Sequence, residues 1–297
     1  MIASFDFSPR AVAELARTDV ARALLEDVGD ADLTAGLVAP ERRARATVVA
    51  REAAVICGAQ WAQQAFKQID PDAELTWRIP EGHRCSADQV VLEVTGQARA
   101  LLTAERTALN FLQLLSAVAT KTSNYVQAIR EIPGVRAGIV DTRKTLPGLR
   151  LAQKYAVRTG GGVNHRLGLH DAVLIKENHI AAAGGITAVL RRAALVAPQA
   201  KFVQIEIETL EQLREALDAG ANMVLLDNMG LSQLHEAVRQ NAGRALLEVS
   251  GGVNLSSVCA IAATGVDRIS IGALTKNVKA VDFSMRFVDE PAPAIGN

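Results

Sequence analysis

Phe202-Val-Gln-Ile-Glu-Ile-Glu208, then residues 209–219, then Met223-Val-Leu-Leu-Asp227, reads as a strand, a helix and a second strand, each strand closing on an acid. The apolar runs are short and bounded by polar residues, whereas the segment between them carries helical spacing. The same grammar extends in both directions. Gly138-Ile-Val140 stands before Asp141, Ala172-Val-Leu-Ile175 before Lys176, Leu246-Leu-Glu-Val249 before Ser250, and Ile269-Ser-Ile271 before Gly272. From Lys176, the strand-closing positions 208, 227, 250 and 272 follow in steps of 32, 19, 23 and 22 residues, about the length of a strand, a helix and two short loops. Residues 232–241 and 255–263 also carry helical spacing, with Ser232 and Asn254 as expected N-caps. Repeated β-α units imply a parallel sheet. Polar chemistry at nearly every strand end favours a closed barrel, whose ends meet at one mouth, over an open doubly wound sheet, which would spread them along an edge.

Two kinds of charge would meet at that mouth. Asp141-Thr-Arg-Lys-Thr-Leu-Pro-Gly148, Gly160-Gly-Gly-Val-Asn-His-Arg166 and Lys176-Glu-Asn-His179 set Arg143, Lys144, His165, Arg166 and Lys176 among glycines and turn residues, away from any single solvated helix face. Forked guanidiniums and ammonium groups suit carboxylates and phosphates, so the expected ligand is polyanionic. Glu208 and Asp227 supply oxygens suited to magnesium. Strand alternation is taken to turn Glu206 away from Glu208, which leaves either as the inward carboxylate. Ser250-Gly-Gly252 and Gly272-Ala273 offer small residues and backbone N–H groups after strands, a common phosphate hold. The set reads as a site for a phosphorylated sugar, a divalent ion and an anionic second substrate.

Each element alone has a plainer reading. Lys-Thr and Ser-Gly-Gly occur in many loops, His165 and His179 suit structural hydrogen bonding, Arg106 by itself is a surface helix residue, and two carboxylates can simply neutralise a basic rim. Six strand ends, nearly all polar and sorted by charge into two groups, carry the functional reading.

Upstream, short β-like runs (Ala46-Thr-Val-Val-Ala50, Glu74-Leu-Thr-Trp-Arg-Ile79, Val90-Val-Leu-Glu-Val-Thr95) surround a helix over residues 59–69, predicting a small α+β layer. A long helix follows over residues 98–130, in which Arg106 and Asn110 interrupt the apolar face formed by Leu102, Leu109, Leu112 and Leu115. The chain of 297 residues, 49% hydrophobic, can bury a substantial core, and 32 basic residues balance 32 acidic ones. Neutrality argues against a general nucleic-acid or anionic-membrane surface. Cys57, Cys85 and Cys259 have no metal-ligand spacing and read as reduced structural thiols. The first 32 residues lack a signal-peptide pattern, and no apolar run approaches the ~18 residues that span a bilayer. A cytoplasmic protein is expected.

The ordered motifs resemble the quinolinate phosphoribosyltransferases: Glu26-Asp27 with Asp32-Leu-Thr34, Glu105-Arg-Thr-Ala-Leu-Asn-Phe111, the 141–148 stretch, and Gly161-Gly-Val-Asn-His-Arg-Leu-Gly-Leu-His-Asp171. They continue with Lys176-Glu-Asn-His179, Glu206-Ile-Glu208, Leu226-Asp-Asn-Met229, Glu248-Val-Ser-Gly-Gly252 and Ile269-Ser-Ile-Gly-Ala-Leu-Thr275, so the resemblance covers nearly the whole chain. It implies an α/β fold, an N-terminal α/β sandwich plus an incomplete (β/α) barrel of type II phosphoribosyltransferase kind. The sandwich would occupy residues 1–115, completed by 281–297, and the barrel residues 116–280.

The resemblance also implies an activity: transfer of phosphoribosyl from phosphoribosyl pyrophosphate to quinolinate with decarboxylation, giving nicotinate mononucleotide, pyrophosphate and carbon dioxide in NAD biosynthesis. Carried over by residue, Thr142, Arg143, Lys144, His165, Arg166 and Lys176 would surround quinolinate, and Arg106 would reach into the partner's site in a homodimer. Glu208 and Asp227 would face the ribose hydroxyls and Mg2+, the ion being held through water or substrate. Lys144, Lys176, Glu208 and Asp227 would be the catalytic set. Ser250, Gly251, Gly252, Ile271, Gly272 and Ala273 would hold the 5-phosphate. Lys276 stands where some relatives carry histidine. Three other readings compete: a paralogous phosphoribosyltransferase for another aromatic acid, a Schiff-base barrel lyase with Lys176 as nucleophile, and a non-catalytic anion-binding barrel.

Overall fold

The computed structural model describes residues 5–288. They divide into two units, one of Phe5–Thr120, Leu151–Gly160 and the segment from Val278 onward, the other of Lys121–Arg150 and Gly161–Asn277. The division falls at 120/121 rather than 115/116, and residues 151–160, expected in the barrel, group with the N-terminal unit. Of the tail expected to complete that unit, residues 289–297 lie outside the described residues.

The N-terminal unit holds strands β1 (Arg43–Ala50), β2 (Ala54–Val55), β3 (Glu74–Trp77), β4 (Arg84–Cys85) and β5 (Gln89–Gln97), with helices α1 (Pro9–Val28), α2 (Ala59–Ile69) and most of α3 (Ala98–Arg130). Ala46, Val48 and Ala50 are buried while their neighbours are not, the period of two that marks a sheet with one face on a core. Antiparallel pairing joins β1 to β5 and β5 to β3, and a late strand numbered β12 (Phe283–Phe287) pairs with the other edge of β1, Ala46 opposite Phe287. The β2–β4 pair, two residues each, has no counterpart in the sequence reading. Ser8 caps α1 by accepting from Ala11 N, and Pro9 occupies the first helical position, where no N–H is needed.

At the start of α2, Gly58 lies at φ 105°, and a Cβ there would sit 3.3 Å from both Leu115 Cδ1 and Phe111 O. Only glycine satisfies both the left-handed backbone and the close approach. The Glu81 carboxylate accepts from Gly58 N and Ala59 N, 2.9 Å each. Trp61 of α2 is fully buried, donates to Asp19 Oδ2 at 3.0 Å and packs 5.5 Å from the ring of Tyr155. Tyr155 belongs to α4 (Arg150–Thr159), and this aromatic contact, with the Arg158 guanidinium over the Phe7 ring and Thr159 beside Gly82, ties α4 to the N-terminal unit.

In the second unit the six apolar runs become six parallel strands: β6 (Gly138–Val140), β7 (Val173–Ile175), β8 (Val203–Ile207), β9 (Met223–Asp227), β10 (Leu246–Ser250) and β11 (Arg268–Ser270). Their order is β6-β11-β10-β9-β8-β7, so β6 and β7 are edges that do not pair and the barrel is incomplete. A single parallel bridge, Val140 to Val163, extends the β6 edge. Met223 through Leu226 are all buried, as a parallel strand covered on both faces requires. Helices α5 (Glu177–Ala183), α6 (Ile186–Val196), α7 (Leu210–Asp218), α8 (Leu231–Asn241), α9 (Val258–Ala263) and α10 (Ala273–Lys276) follow the strands.

Two expected caps are displaced. The N-cap of α8 is Gly230, not Ser232, with Gln233 Oε1 accepting from Gly230 N. Asn254 does not cap α9, because its Oδ1 accepts from Ser256 N and Ser257 N to build a local turn, and the helix starts at Val258. Among the described residues no single helix is long and apolar enough to cross a membrane.

Candidate active site

Parallel register brings the strand ends level: Ser250 lies opposite Asp227, and Leu226 opposite Ile207 and Val249. Along each strand alternate residues turn inward. Gln204 and Glu206 of β8, Leu225 and Asp227 of β9, Glu248 and Ser250 of β10, and Ser270 of β11 occupy the inward positions, while Ile205 and Ile207 are buried on the opposite face.

An inner cavity of about 170 Å³ opens among these strands, lined by Thr142, Arg143, Lys144, His165, Arg166 and Lys176 together with Glu206, Glu248, Ser250 and Ser270. A second cavity of about 460 Å³ adjoins it at the rim. Thr142, Lys144, Ser250 and Ser270 line both, and Asp227, Asn228, Gly251, Gly252, Ile271, Gly272, Ala273 and Lys276 line the rim cavity alone. The basic loops and the small-residue turns thus face one continuous space.

Glu208 is the exception. Two residues from Glu206, it shares that residue's strand face instead of opposing it, but it lies beyond the end of β8, where its N–H donates to Gln212 Oε1 and its side chain is exposed. Glu208 lines neither cavity. Glu206 does, and both of its oxygens accept from Lys176 Nζ at 3.1 and 3.2 Å. The inward carboxylate of β8 is Glu206. Arg106 lies on the exposed face of α3 in the N-terminal unit, outside the group that lines the cavities.

The loops are held from beneath. Asp141, fully buried, accepts from Asn164 Nδ2 at 2.6 Å and from His165 N at 2.8 Å, tying the first basic loop to the second. His165 Nδ1 accepts from Arg166 N at 2.8 Å, which leaves Nε2 as the donor to Gln204 Oε1 at 2.9 Å, 3.5 Å from Glu248 Oε1. Both ring nitrogens are therefore engaged in the floor of the cavity. Glu248 is fully buried and paired through Oε2 with Arg268 Nε at 2.8 Å. His179 caps α5 by accepting from Lys176 N, the structural role open to it in the sequence.

Burial lowers the Arg166 guanidinium from its ordinary value, and repulsion from Arg143 adds to the effect, with Asp171 opposing it. Arg143 Nε is buried without a hydrogen-bond partner among the described residues. Two crowded guanidiniums, one with an unsatisfied donor, favour a bound carboxylate or phosphate.

Four lining residues not singled out in the sequence, Leu174, Leu225, Glu248 and Ser270, precede a strand-closing residue by two positions or sit at strand ends. Inward alternation was the signal that could have found them.

The chain can be set beside known proteins. The family model for the quinolinate phosphoribosyl transferase N-terminal domain matches residues 32–116, and that for the C-terminal domain matches residues 118–286. A Mycobacterium leprae nicotinate-nucleotide pyrophosphorylase (carboxylating) is 42% identical over 279 residues, covering 92% of this chain and 97% of its own length. A quinolinate phosphoribosyltransferase (decarboxylating) 1b of Nicotiana tabacum is 38% identical over 294 residues, covering 92% and 83%. The solved nicotinate-nucleotide pyrophosphorylase of Francisella tularensis superposes with a TM-score of 0.90 at 40% identity, covering 97% of this chain and all of that one. With both domains matched in order and near 40% identity along nearly its full length, the chain belongs to the quinolinate phosphoribosyltransferase family.

Proposed function

We propose that the chain transfers the phosphoribosyl group of phosphoribosyl pyrophosphate to quinolinate and releases carbon dioxide, forming nicotinate mononucleotide and pyrophosphate. The carrying observation is the pair of adjoining cavities that share Thr142, Lys144, Ser250 and Ser270, one cation-rich and deep, the other lined by glycine turns and Asp227. A pyridine dicarboxylate suits the first and a phosphorylated ribose the second.

As the bond from the anomeric carbon to pyrophosphate breaks, positive charge grows on the ribose and negative charge on the leaving group. Asp227 and Glu206 are the carboxylates able to face the ribose, and Lys144, shared by both cavities, is a cation able to face the oxygens of either ligand. The pyridine nitrogen supplies the electron pair of the new bond to the anomeric carbon. The pyridinium then stabilises the carbanion left when the adjacent carboxylate departs, and a proton takes its place. Arg143, Arg166 and Lys176 orient the acid for this sequence.

Magnesium belongs to the same reading. Among the described residues no group of three or more His, Cys, Asp or Glu side chains is placed to hold a metal. The Asp227 carboxylate of the rim cavity would suit magnesium that keeps most of its waters, and would hold it through water. Bound there, it would neutralise charge on the departing pyrophosphate.

A homodimer completes the site. Asp32 accepts from Thr103 Oγ1 and Val38 O from Arg99 Nε, which lays the 32–38 segment along the α3 face that carries Arg106. On that segment Leu33 and Leu37 are 88% and 86% exposed. An apolar patch beside an exposed arginine supports a second copy covering it and receiving Arg106. A cytoplasmic setting accompanies this reading. The Schiff-base alternative lacks support, because Lys176 is bound to Glu206 and 45% exposed, not the desolvated amine that reaction needs.

The test is pyrophosphate release with quinolinate, nicotinate or no acceptor, followed by mass spectrometry of the products. Release with quinolinate alone, together with nicotinate mononucleotide, is expected. Release only with another acid would reassign the substrate, and release with none would refute the proposal.

A further inference from the structure

Asn228 follows the last residue of β9 and is one of four non-glycine residues with positive φ among the described residues, at 54°. That conformation is strained for most side chains and least so for asparagine, aspartate and glycine. It is held by a backbone bond, Asn228 N donating to Ser250 O at 3.1 Å, which continues the β9–β10 pairing one residue past Asp227.

In this geometry the side chain turns back on its neighbour, and Nδ2 donates to Asp227 Oδ2 at 2.8 Å. Only the amide's donor end can face a carboxylate, which fixes the rotamer: Oδ1 points the other way. It points at Gly251. A Cβ built on Gly251 would lie 2.2 Å from Asn228 Oδ1, 3.0 Å from its Cγ and 3.1 Å from its backbone nitrogen. Gly251 itself sits at φ 101°, so both its backbone and its lack of a side chain are required where Asn228 packs. One amide therefore spans the rim cavity from the Asp227 carboxylate to the Ser250-Gly251 turn, and all four residues line that cavity. Asp227 Oδ2 is the oxygen occupied, and Oδ1 has no other hydrogen-bond partner among the described residues.

We infer that Asn228 is a positioning residue that fixes the Asp227 carboxylate and the Gly251 turn relative to each other, so that the two contacts to phosphoribosyl pyrophosphate are set before the ligand arrives. The inference rests on the proposed function, because it takes Asp227 as the ribose acid and the Ser250–Gly252 turn as the phosphate hold. The amide itself touches neither reacting atom.

The experiment measures direct binding of phosphoribosyl pyrophosphate and, separately, of quinolinate to the unmodified chain and to Asn228→Gly and Asn228→Asp, with thermal melting as a check on folding. Glycine keeps the left-handed backbone and removes the amide, whereas aspartate keeps the shape and sets an acceptor against the Asp227 carboxylate. Loss of a hydrogen bond to a charged group predicts roughly tenfold weaker phosphoribosyl pyrophosphate binding in both variants, with quinolinate affinity within about twofold. Gly251→Ala, which drives a methyl into Asn228 Oδ1, is expected to weaken the same ligand, and its effect should shrink without vanishing when combined with Asn228→Gly, since the clash with the amide is then gone while the close backbone nitrogen and the left-handed backbone of Gly251 remain. Phosphoribosyl pyrophosphate affinity unchanged in a folded Asn228→Gly protein would overturn the inference, as would equal loss of both ligands, which marks a merely structural role. Failure of the unmodified chain to bind phosphoribosyl pyrophosphate would instead overturn the proposed function, and the inference with it.

Discussion

Replacing Glu206 by glutamine and, in a separate protein, Glu208 by glutamine discriminates between two carboxylates that the sequence leaves interchangeable. Glu206 is an inward residue of β8, 13% exposed, with both oxygens on Lys176 Nζ at 3.1 and 3.2 Å. Unscreened at an effective dielectric of 20, such a pair is worth about 5 kcal/mol. Lys176 is nearly half exposed, however, so the net contribution to stability falls to about 1 kcal/mol or less, a few degrees of melting temperature. Catalysis is affected more. A preorganised charge facing the reacting ribose is worth about 3 kcal/mol in the transition state, so Glu206→Gln should lose roughly a hundredfold in kcat/KM while remaining folded. Glu208 is an exposed residue whose backbone, not its side chain, holds the start of α7, and its glutamine variant should stay within about twofold. Pyrophosphate release at varied substrate gives kcat/KM, and melting curves separate unfolding from chemistry. A hundredfold loss in Glu208→Gln with Glu206→Gln unaffected would refute the assignment of the inward carboxylate.

Further consequences can be checked with few variants. Arg106→Ala and Lys176→Ala should each be inactive, but mixing them under subunit exchange should restore roughly a quarter of the sites, because half of the dimers then carry one intact site; no recovery would remove the shared site. Arg268→Met leaves the fully buried Glu248 carboxylate without its partner and should cost about 3 kcal/mol in urea unfolding, much of it regained in the double variant with Glu248→Met. Burial, with the Glu81 carboxylate adding to it, pushes the Cys57 thiol well above the ordinary value of 9.0. A raised folded value means that this group's stability is complete below the ordinary value and declines as pH rises past it, by about 1.4 kcal/mol per pH unit. Unfolding free energies between pH 8 and 10.5 should therefore flatten in Cys57→Ala, and an unchanged slope would count against the burial argument.

The barrel was legible because its signal is local. Each apolar run from Gly138 to Ile271 became a parallel strand, and helices over 59–69 and 98–130 formed at those limits, since period and chain polarity are written in neighbouring residues. The caps of α8 and α9 were misread for a related reason. Ser232 and Asn254 are good capping types, but Gln233 and the Ser256–Ser257 amides compete for the same bonds, and that competition is settled by backbone path. The cluster Arg143, Lys144, His165, Arg166 and Lys176 was legible as charge set among turn residues. Its partners were not: Glu248 and Gln204 lie inside strands that read simply as apolar.

What the sequence determined by itself is therefore the alternation of strands and helices, the polar residue closing nearly every strand, and through its ordered motifs the family. What tertiary structure alone decided is which of those polar residues share a space. Glu206 faces the cavity and Glu208 does not, because β8 ends at Ile207, between them. Residues 151–160 left the expected barrel because Tyr155 packs on Trp61, nearly a hundred positions earlier in the chain. Contacts of that range arise from packing and burial in three dimensions, for which local pattern carries no signal.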